Sequence, residues 1–471
     1  MLIGRKKGLE HLESVYQQTG FQMAVIYGKK RIGKTVLLNE FIKNKNSLFL
    51  CADAVNVSLN LSKFTKVINR KSGKPALPIL DSWENLFKEI AQLYRRERLI
   101  LVMDEYENIA NSSKDFNQIL KKMIETHLKQ TNIFLILCSS LPIFIENSVL
   151  IDGNPFFKDI ACQLKMEQLN YFDTSMFYED FSSFDKVRTY AVFGGSPFYM
   201  PLIKQDISFE ENLRALFFTK SGPLFDEGTL LISQDFRETS NYNAILLAIA
   251  MGCTTLSDIV RFTKQETSVT SKYMVVLQEM KIIERIIPFG ADPKVGKTSQ
   301  YRIVDNLLCF WFRFVFTNRS EIVRGNGDAC LNDALLALDD FMRPIFHKIC
   351  SQYLWLLNER NELPFALGSL GCWWGQDRSG QAHYVDMIAQ STNKKTIMLG
   401  QCLWNELPKA VYEPAIVKTA SLNKKNLLHW VFTNGHQPDT ADHIITLDDL
   451  YFVNDEQVHN QASQTLSVHL L

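Results

Sequence analysis

Eight consecutive residues, Gly28-Lys29-Lys30-Arg31-Ile32-Gly33-Lys34-Thr35, fit the spacing G-x-x-x-x-G-K-[ST], and each fixed position has a chemical reason. Two glycines let the backbone curl so that successive N–H groups and the start of the next helix face a β-phosphate. Lys34 offers a point charge to β- and γ-phosphates, and Thr35 a hydroxyl for Mg2+. Lys29, Lys30, Arg31, Ile32 and the following Val36 complete the stretch that would touch a nucleotide; Arg31 and its lysine neighbours read equally as solvated charge. Lys34 itself is expected to be exposed at the loop–helix junction. Such a loop hydrolyses nothing unaided, because the metal needs a carboxylate and the attacking water needs a base or an orienting group. Leu99-Ile100-Leu101-Val102-Met103-Asp104-Glu105, about 70 residues further on, answers that need. It reads as a buried strand ending in two carboxylates, Asp104 to bind Mg2+ directly or through water and Glu105 to polarise the water. A third apolar run, Ile133 to Cys138, ends in Ser139-Ser140. Ser140 there is expected beside Asp104 as a sensor of the γ-phosphate, the alternative being a hydroxyl that caps a turn.

These side chains require a frame. Up to residue 171, apolar runs (Met23–Tyr27, Ser47–Ala52, Leu99–Met103, Ile133–Cys138, Cys162–Leu169) alternate with amphipathic segments of 10–20 residues. That rhythm predicts a mostly parallel, doubly wound sheet whose strand ends deliver Asp104 and Glu105 to the ligand-binding edge. The basic segment Ser62–Pro78 is expected as a surface loop. Residues 172–238 read as a helical, aromatic-rich lid broken by Gly194-Gly195-Ser196-Pro197. Residues 239–322 give three helical stretches and then two strand-like runs, Ile282–Ile287 and Gln300–Ile303, the order of a winged helix-turn-helix. Its third helix, Ser268–Met280, offers Ser268, Thr270, Ser271 and Lys272 to duplex DNA, with Arg261, Lys264, Lys294 and Lys297 nearby; an interdomain role fits as well. The apolar run Leu307–Phe316 is expected to pack between domains or to serve as ordinary core. Residues 323–471 form a last unit with strands at Tyr384–Ala389, Thr396–Gln401, His429–Phe432 and His443–Thr446, its final dozen residues expected to be loosely ordered.

The motifs resemble those of a known family. Met1-Leu2-Ile3-Gly4-Arg5 is similar to its F-[IV]-G-R-E opening, Tyr27 to Thr35 to Y-G-R-R-R-[IV]-G-K-T, Asp104-Glu105-Tyr106 to D-E-[FW], and Gly194 to Met200 to G-G-[VI]-P-x-Y-L. Tyr301-Arg302-Ile303-Val304-Asp305 and Phe310-Trp311-Phe312-Arg313-Phe314 resemble two further motifs. Together they resemble the archaeal-type P-loop ATPases of the AAA+-like signal-transduction (STAND) class, and the resemblance covers nearly the whole chain. It implies an α/β architecture: a P-loop NTPase sheet with a helical lid, a winged helix, and an α/β C-terminal domain similar to restriction endonucleases. It implies ATP and Mg2+ as cofactors, Pro197 against the adenine, and hydrolysis governing a switch, with an arginine supplied by a protein partner or a second copy of the chain. Duplex DNA is a further partner to weigh. In the C-terminal domain the family pattern has an acidic residue at Asp386 and E-x-K on the next strand, where this chain has Gln401 and Leu403. Without that carboxylate and lysine a metal-dependent nuclease lacks its parts, so a vestigial fold is expected rather than an active one.

Composition narrows the classes. With 471 residues, 46% hydrophobic and 22% charged, about three globular domains are expected rather than a small or fibrous chain. Lys+Arg and Asp+Glu both total 51, which gives no overall argument for a polyanionic partner. Residues 1–76, however, hold fourteen Lys/Arg against four Asp/Glu, which favours an anionic ligand near the phosphate loop. The longest apolar runs are far short of the roughly 20 residues that span a bilayer. Nine cysteines without a Cys-x-x-Cys pair read as reduced core residues, and a cytoplasmic location without membrane contact is expected.

Overall fold

A computed structural model describes residues 3–72, 77–292, 294, 298–376, 382–405, 426–435, 441–452 and 466–469. They divide into two compact units: the first is Met1–Leu169 with Gly195–Phe198 and Asp455–Leu471, the second Asn170–Gly194 with Tyr199–Asn454.

In the first unit the predicted strands appear as β1 (Gln22–Tyr27), β2 (Ser47–Cys51), β3 (Leu99–Asp104), β4 (Ile133–Ser139) and β5 (Cys162–Met166). All pair in parallel, in the order β5-β1-β4-β3-β2. Because side chains alternate across a strand, β1 sends Met23, Val25 and Tyr27 to one core and Ala24 and Ile26 to another. Both faces are thus covered, and that is why these strands read as unbroken apolar runs. Helices α1 (Lys6–Tyr16) and α2 (Lys34–Ile42) supply Leu12, Val15, Leu37, Leu38 and Phe41 to one face. The other is covered by α3 (Val57–Ser72), α4 (Trp83–Leu93), α5 (Tyr106–Ser112), α6 (Phe116–Thr126) and α7 (Pro142–Ser148).

Two expectations are corrected here. Ser62–Pro78 is not a surface loop: its first part is α3, whose Leu61, Phe64 and Ile68 are buried at helical spacing while Lys66 and Arg70 face out. Residues 73–76 lie outside the described residues. The chain's end is not loosely ordered throughout, because Leu466–His469 pairs antiparallel with β5 at the sheet's edge; its apolar–polar alternation is a strand signal only four residues long.

The second unit begins with α8 (Tyr171–Ser175), α9 (Ser183–Phe193), α10 (Phe209–Phe217) and α11 (Glu227–Asp235). Then come α12 (Ser240–Ala250), α13 (Leu256–Thr263), α14 (Thr267–Glu279) and the antiparallel hairpin β6 (Ile283–Ile286) and β7 (Gln300–Ile303). The short helices α15 (Asn306–Phe310) and α16 (Arg319–Val323) are followed by α17 (Gly327–Leu336), α18 (Leu338–Glu359) and a mixed sheet. That sheet comprises β8 (Leu367–Gln376), β9 (Ala382–Ser391), β10 (Thr396–Leu403), β11 (Asn426–Thr433) and β12 (His443–Thr446) in sequential order. Strands β10, β11 and β12 run parallel, and β8–β9–β10 antiparallel. One continuous core reaches from Tyr171 to Leu450, and Leu307, Phe310, Trp311 and Phe312 of the apolar run lie inside it. Trp311 also donates its indole N–H to the Phe225 carbonyl at 2.8 Å. That run is therefore core of the second unit.

Candidate functional site

Between β1 and α2 the chain wraps the phosphate loop. A Cβ at Gly28 would stand 2.2 Å from the Met166 carbonyl oxygen, so only glycine lets the loop leave β1 this close to β5. Gly33 caps α2 at φ +92°, a left-handed backbone that favours glycine. Lys34 is buried, contrary to the exposed position expected of it, because the loop folds round its side chain: Nζ donates to the carbonyls of Gly28 at 2.8 Å and Lys29 at 2.9 Å. Burial pulls its pKa down, and the charges of Glu105 and Asp104 act against that shift. Thr35 and Val36 are exposed on the first turn of α2. From behind, the buried Arg5 donates Nη2 to the carbonyls of Ile32 (3.0 Å) and Glu167 (2.6 Å), fixing the loop to the chain that follows β5.

Strand β3 ends on buried Asp104, whose carboxyl is held above its ordinary pKa by burial, opposed by a hydrogen bond from Cys138. Its Oδ1 accepts the Glu105 N–H at 3.0 Å. Glu105 then takes the left-handed conformation, φ 54° and ψ 47°, a cost of roughly 1–2 kcal/mol for a residue with a Cβ. The twist starts α5 at once, and the Glu105 side chain meets the end of β4, where the Ser140 hydroxyl donates to Oε1 at 2.8 Å. Of the serine pair, Ser139 Oγ accepts the Leu141 N–H at 3.1 Å as a turn cap, while the Ser140 hydroxyl, expected beside Asp104, is engaged by Glu105. Glu107, which sequence reasoning missed, is also here, buried, with Oε1 accepting the Ser140 N–H at 3.1 Å. An acidic residue in a helix's first turn is ordinary, so its type and place carried no signal.

The third side comes from Gly195–Phe198. A Cβ on Gly195 would collide with the Leu169 carbonyl at 1.8 Å, so glycine admits this close approach. The Ser196 hydroxyl donates to the Arg31 carbonyl at 2.7 Å, and Pro197 Cγ stands 3.2 Å from where a Cβ on Gly33 would be. The Arg31 guanidinium lies 4.9 Å from the centre of the half-exposed Phe198 ring. Lys30, Arg31, Gly33, Lys34, Thr35, Val36, Glu105, Ser140, Pro197 and Phe198 thus line one cavity of about 300 Å³. Of the loop residues singled out, Lys30, Arg31, Gly33, Lys34, Thr35 and Val36 line the cavity, whereas Gly28, Lys29, Ile32 and the strand-end Asp104 are not among its lining residues. Ser196, Phe198 and Arg5 were legible only as letters of motifs.

The donors suit Mg2+. Thr35 offers a hydroxyl and Asp104 a carboxylate, both hard oxygens, and Mg2+ ordinarily completes its shell with phosphate oxygens and water. Among the described residues no group of three or more His, Cys, Asp or Glu could hold a metal alone.

Elsewhere the predicted chemistry is not assembled. Asp386 is buried in β9, and its Oδ2 accepts the Cys402 N–H at 3.0 Å where the β9–β10 ladder has ended. Its carboxylate thus serves the sheet, and the next strand brings buried Gln401 and Leu403. On α14, Thr270 is buried and unavailable to DNA, while Ser268, Val269, Lys272 and Val275 are exposed. Lys297 lies outside the described residues. Among the described residues no helix is long and apolar enough to cross a membrane.

A family model for an ATPase domain predominantly from Archaea matches residues 2–203, and one for archaeal and bacterial proteins of unknown function matches residues 311–414. An uncharacterized protein of Methanocaldococcus jannaschii is 26% identical over 408 residues, 86% of this chain and 88% of its own length. An uncharacterized ATP-binding protein of the same organism is 38% identical over 45 residues, 10% of this chain and 76% of that one. Among solved structures, the Walker-type ATPase of Pyrococcus abyssi has a TM-score of 0.51 at 15% identity, covering 66% of this chain and 96% of that one, which shows a shared fold.

Proposed function

Starting from an archaeal-type ATPase domain at residues 2–203 joined to a C-terminal domain of a family without assigned function, we propose that this chain binds ATP with Mg2+ and hydrolyses it to ADP and phosphate. The observation that carries the reading is the single cavity on which Lys34 and Thr35, Glu105 and Ser140, and Pro197 converge. In this reading the loop's N–H groups and Lys34 bind the β- and γ-phosphates, and Thr35 and Asp104 hold the metal. Bound Mg2+ supplies charge neutralisation at the phosphates. Glu105, oriented by Ser140, accepts the proton of the attacking water, and Pro197 borders the base. Residues 1–171 are the proposed ATPase core, 172–238 a lid, 239–322 a winged helix and 323–471 a vestigial nuclease-like domain. Since Gly195–Phe198 runs between lid residues and also touches the loop at Arg31 and Gly33, we read the nucleotide as the input of a switch. Exposed Lys272 and Lys264 leave the winged helix open to duplex DNA, whereas the structural task of Asp386 argues against nuclease chemistry.

The test is equilibrium binding and steady-state hydrolysis of ATP with and without Mg2+ by the full chain. Saturable Mg2+-dependent binding with phosphate release is expected. A chain that binds no nucleoside triphosphate up to millimolar concentration would refute the reading.

A further inference from the structure

One carboxyl in the site has no part in the mechanism above. Glu107 is 4% exposed, and while its Oε1 accepts from the Ser140 N–H, its Oε2 is shut off from solvent without a hydrogen-bond partner. The same Ser140 donates its hydroxyl to Glu105 Oε1, so one residue at the end of β4 clamps both carboxyl groups. Both carboxyl groups thus meet at Ser140, where the charge of Glu105 acts on Glu107, yet two carboxylates present only acceptors. Two anions packed together in a buried place are costly. A proton on Glu107 removes both difficulties: the carboxylic O–H becomes a donor, and Glu105 is the acceptor beside it.

We propose that Glu107 is a positioning residue that works as the neutral acid, donating its O–H to Glu105 and, with Ser140, fixing the carboxylate that orients the attacking water. The proposal rests on the ATPase reading for the task of Glu105. The surroundings favour the acid form: burial first, and then the charge of Glu105, push Glu107 up to about 7, although the nearby Ser139 acts the other way. The ionisable groups that face it are Glu105 from its own turn and Lys34 from α2, whose positive charge favours the anion. The sign follows: below the Glu107 step its proton is held and Glu105 is oriented, whereas above it Glu107 is a carboxylate and the clamp is lost.

Glu107→Gln tests this, because an amide keeps a donor for Glu105 and an acceptor for the Ser140 N–H but cannot ionise. At pH 6 the variant should turn over ATP within about threefold of the parent. Above pH 7 the parent's kcat should fall, approaching about tenfold per pH unit, while the variant's stays level. Glu107→Leu, lacking the donor, should lose roughly 10- to 100-fold in kcat at every pH with ATP affinity retained. Infrared difference spectra of the full chain give a readout independent of turnover: a protonated-carboxyl band at pH 6 that titrates in the parent and is missing from Glu107→Gln. An alkaline fall equally steep in Glu107→Gln, or no such band in the parent, overturns the proposal. If the chain hydrolyses no ATP but the band is present and titrates, the neutral acid stands and the ATPase reading fails.

Discussion

Replacing Lys34 by methionine separates what this side chain does for the fold from what it does for the ligand. Lys34 is buried and donates to two carbonyls at 2.8 and 2.9 Å. Losing those bonds costs about 1–3 kcal/mol in total. Burial also lowers its pKa, so its charged form is worse tolerated in the fold than in the unfolded chain. Between the folded and unfolded pKa values the unfolded chain binds more protons, and the charge therefore opposes folding at pH 7. The two effects act against each other, so stability without ligand should fall by less than the roughly 1–3 kcal/mol of the two bonds, a melting shift below about 6–12 °C for a unit of this size. Binding is another matter. A charge-assisted contact to phosphate is worth about 1.5–3 kcal/mol, so Kd for ATP should rise roughly 100-fold. At an ATP concentration about 100 times the parent Kd, the parent gains about 2.7 kcal/mol, or roughly 5–10 °C. In the variant the same ATP only matches Kd and gives about 0.4 kcal/mol, or about 1 °C. Thermal melts of both proteins with and without ATP·Mg2+ read all four values. An equal ATP-induced shift in the variant refutes the phosphate role, and a nucleotide-free variant melting far below the parent refutes the balance argued here.

Glu105→Gln should bind ATP·Mg2+ with near-parent affinity and turn it over about 10²–10⁴-fold more slowly in a phosphate-release assay; parent-like turnover would move the base elsewhere. Gly195→Ala pushes a methyl into the Leu169 carbonyl and should cost about 1–3 kcal/mol in denaturant unfolding and weaken ATP binding together. An unchanged midpoint would contradict that contact. Lys348, half-buried on α18 and donating to the Val304 carbonyl and Asn306 Oδ1, has its pKa lowered by desolvation to about 8. The unfolded chain therefore holds the extra proton between about pH 8 and 10.5, stability of the second unit should rise with pH across that window, and Lys348→Met should flatten the rise. Asp386→Ala should lower that unit's stability by about 1–3 kcal/mol through the orphaned Cys402 N–H and leave any plasmid-cleavage background unchanged.

How much of this was legible depended on how local each signal was. Strands β1 to β5 could be read because parallel strands buried on both faces are unbroken apolar runs, and Asp104-Glu105 could be read because it ends one of them. Helix α3 was missed since Lys63, Lys66, Arg70 and Lys71 outweigh a narrow apolar stripe. Strand β8 was missed because Gly368, Gly371 and Gly375 look like breakers, whereas Gly368 admits the backbone of Thr392 and Gly371 the ring of Phe289. The burial of Lys34 and the pairing of Glu107 with Glu105 depend on where β4 ends relative to β3. No spacing within one segment encodes that relation.

Gly195–Phe198 has a practical consequence for dividing the chain. These four residues belong to the first unit, yet on both sides they are continuous with the second. A fragment stopped at residue 171 would lack Ser196 on the Arg31 carbonyl and Pro197 beside Gly33, leaving the loop's outer wall open. A fragment extended past Phe198 keeps that wall but carries α9 with it, stripping Val187, Tyr190 and Phe193 of the partners that bury them in the second unit's core. Such a piece should be sticky and poorly soluble, and a single cut cannot yield two self-sufficient halves.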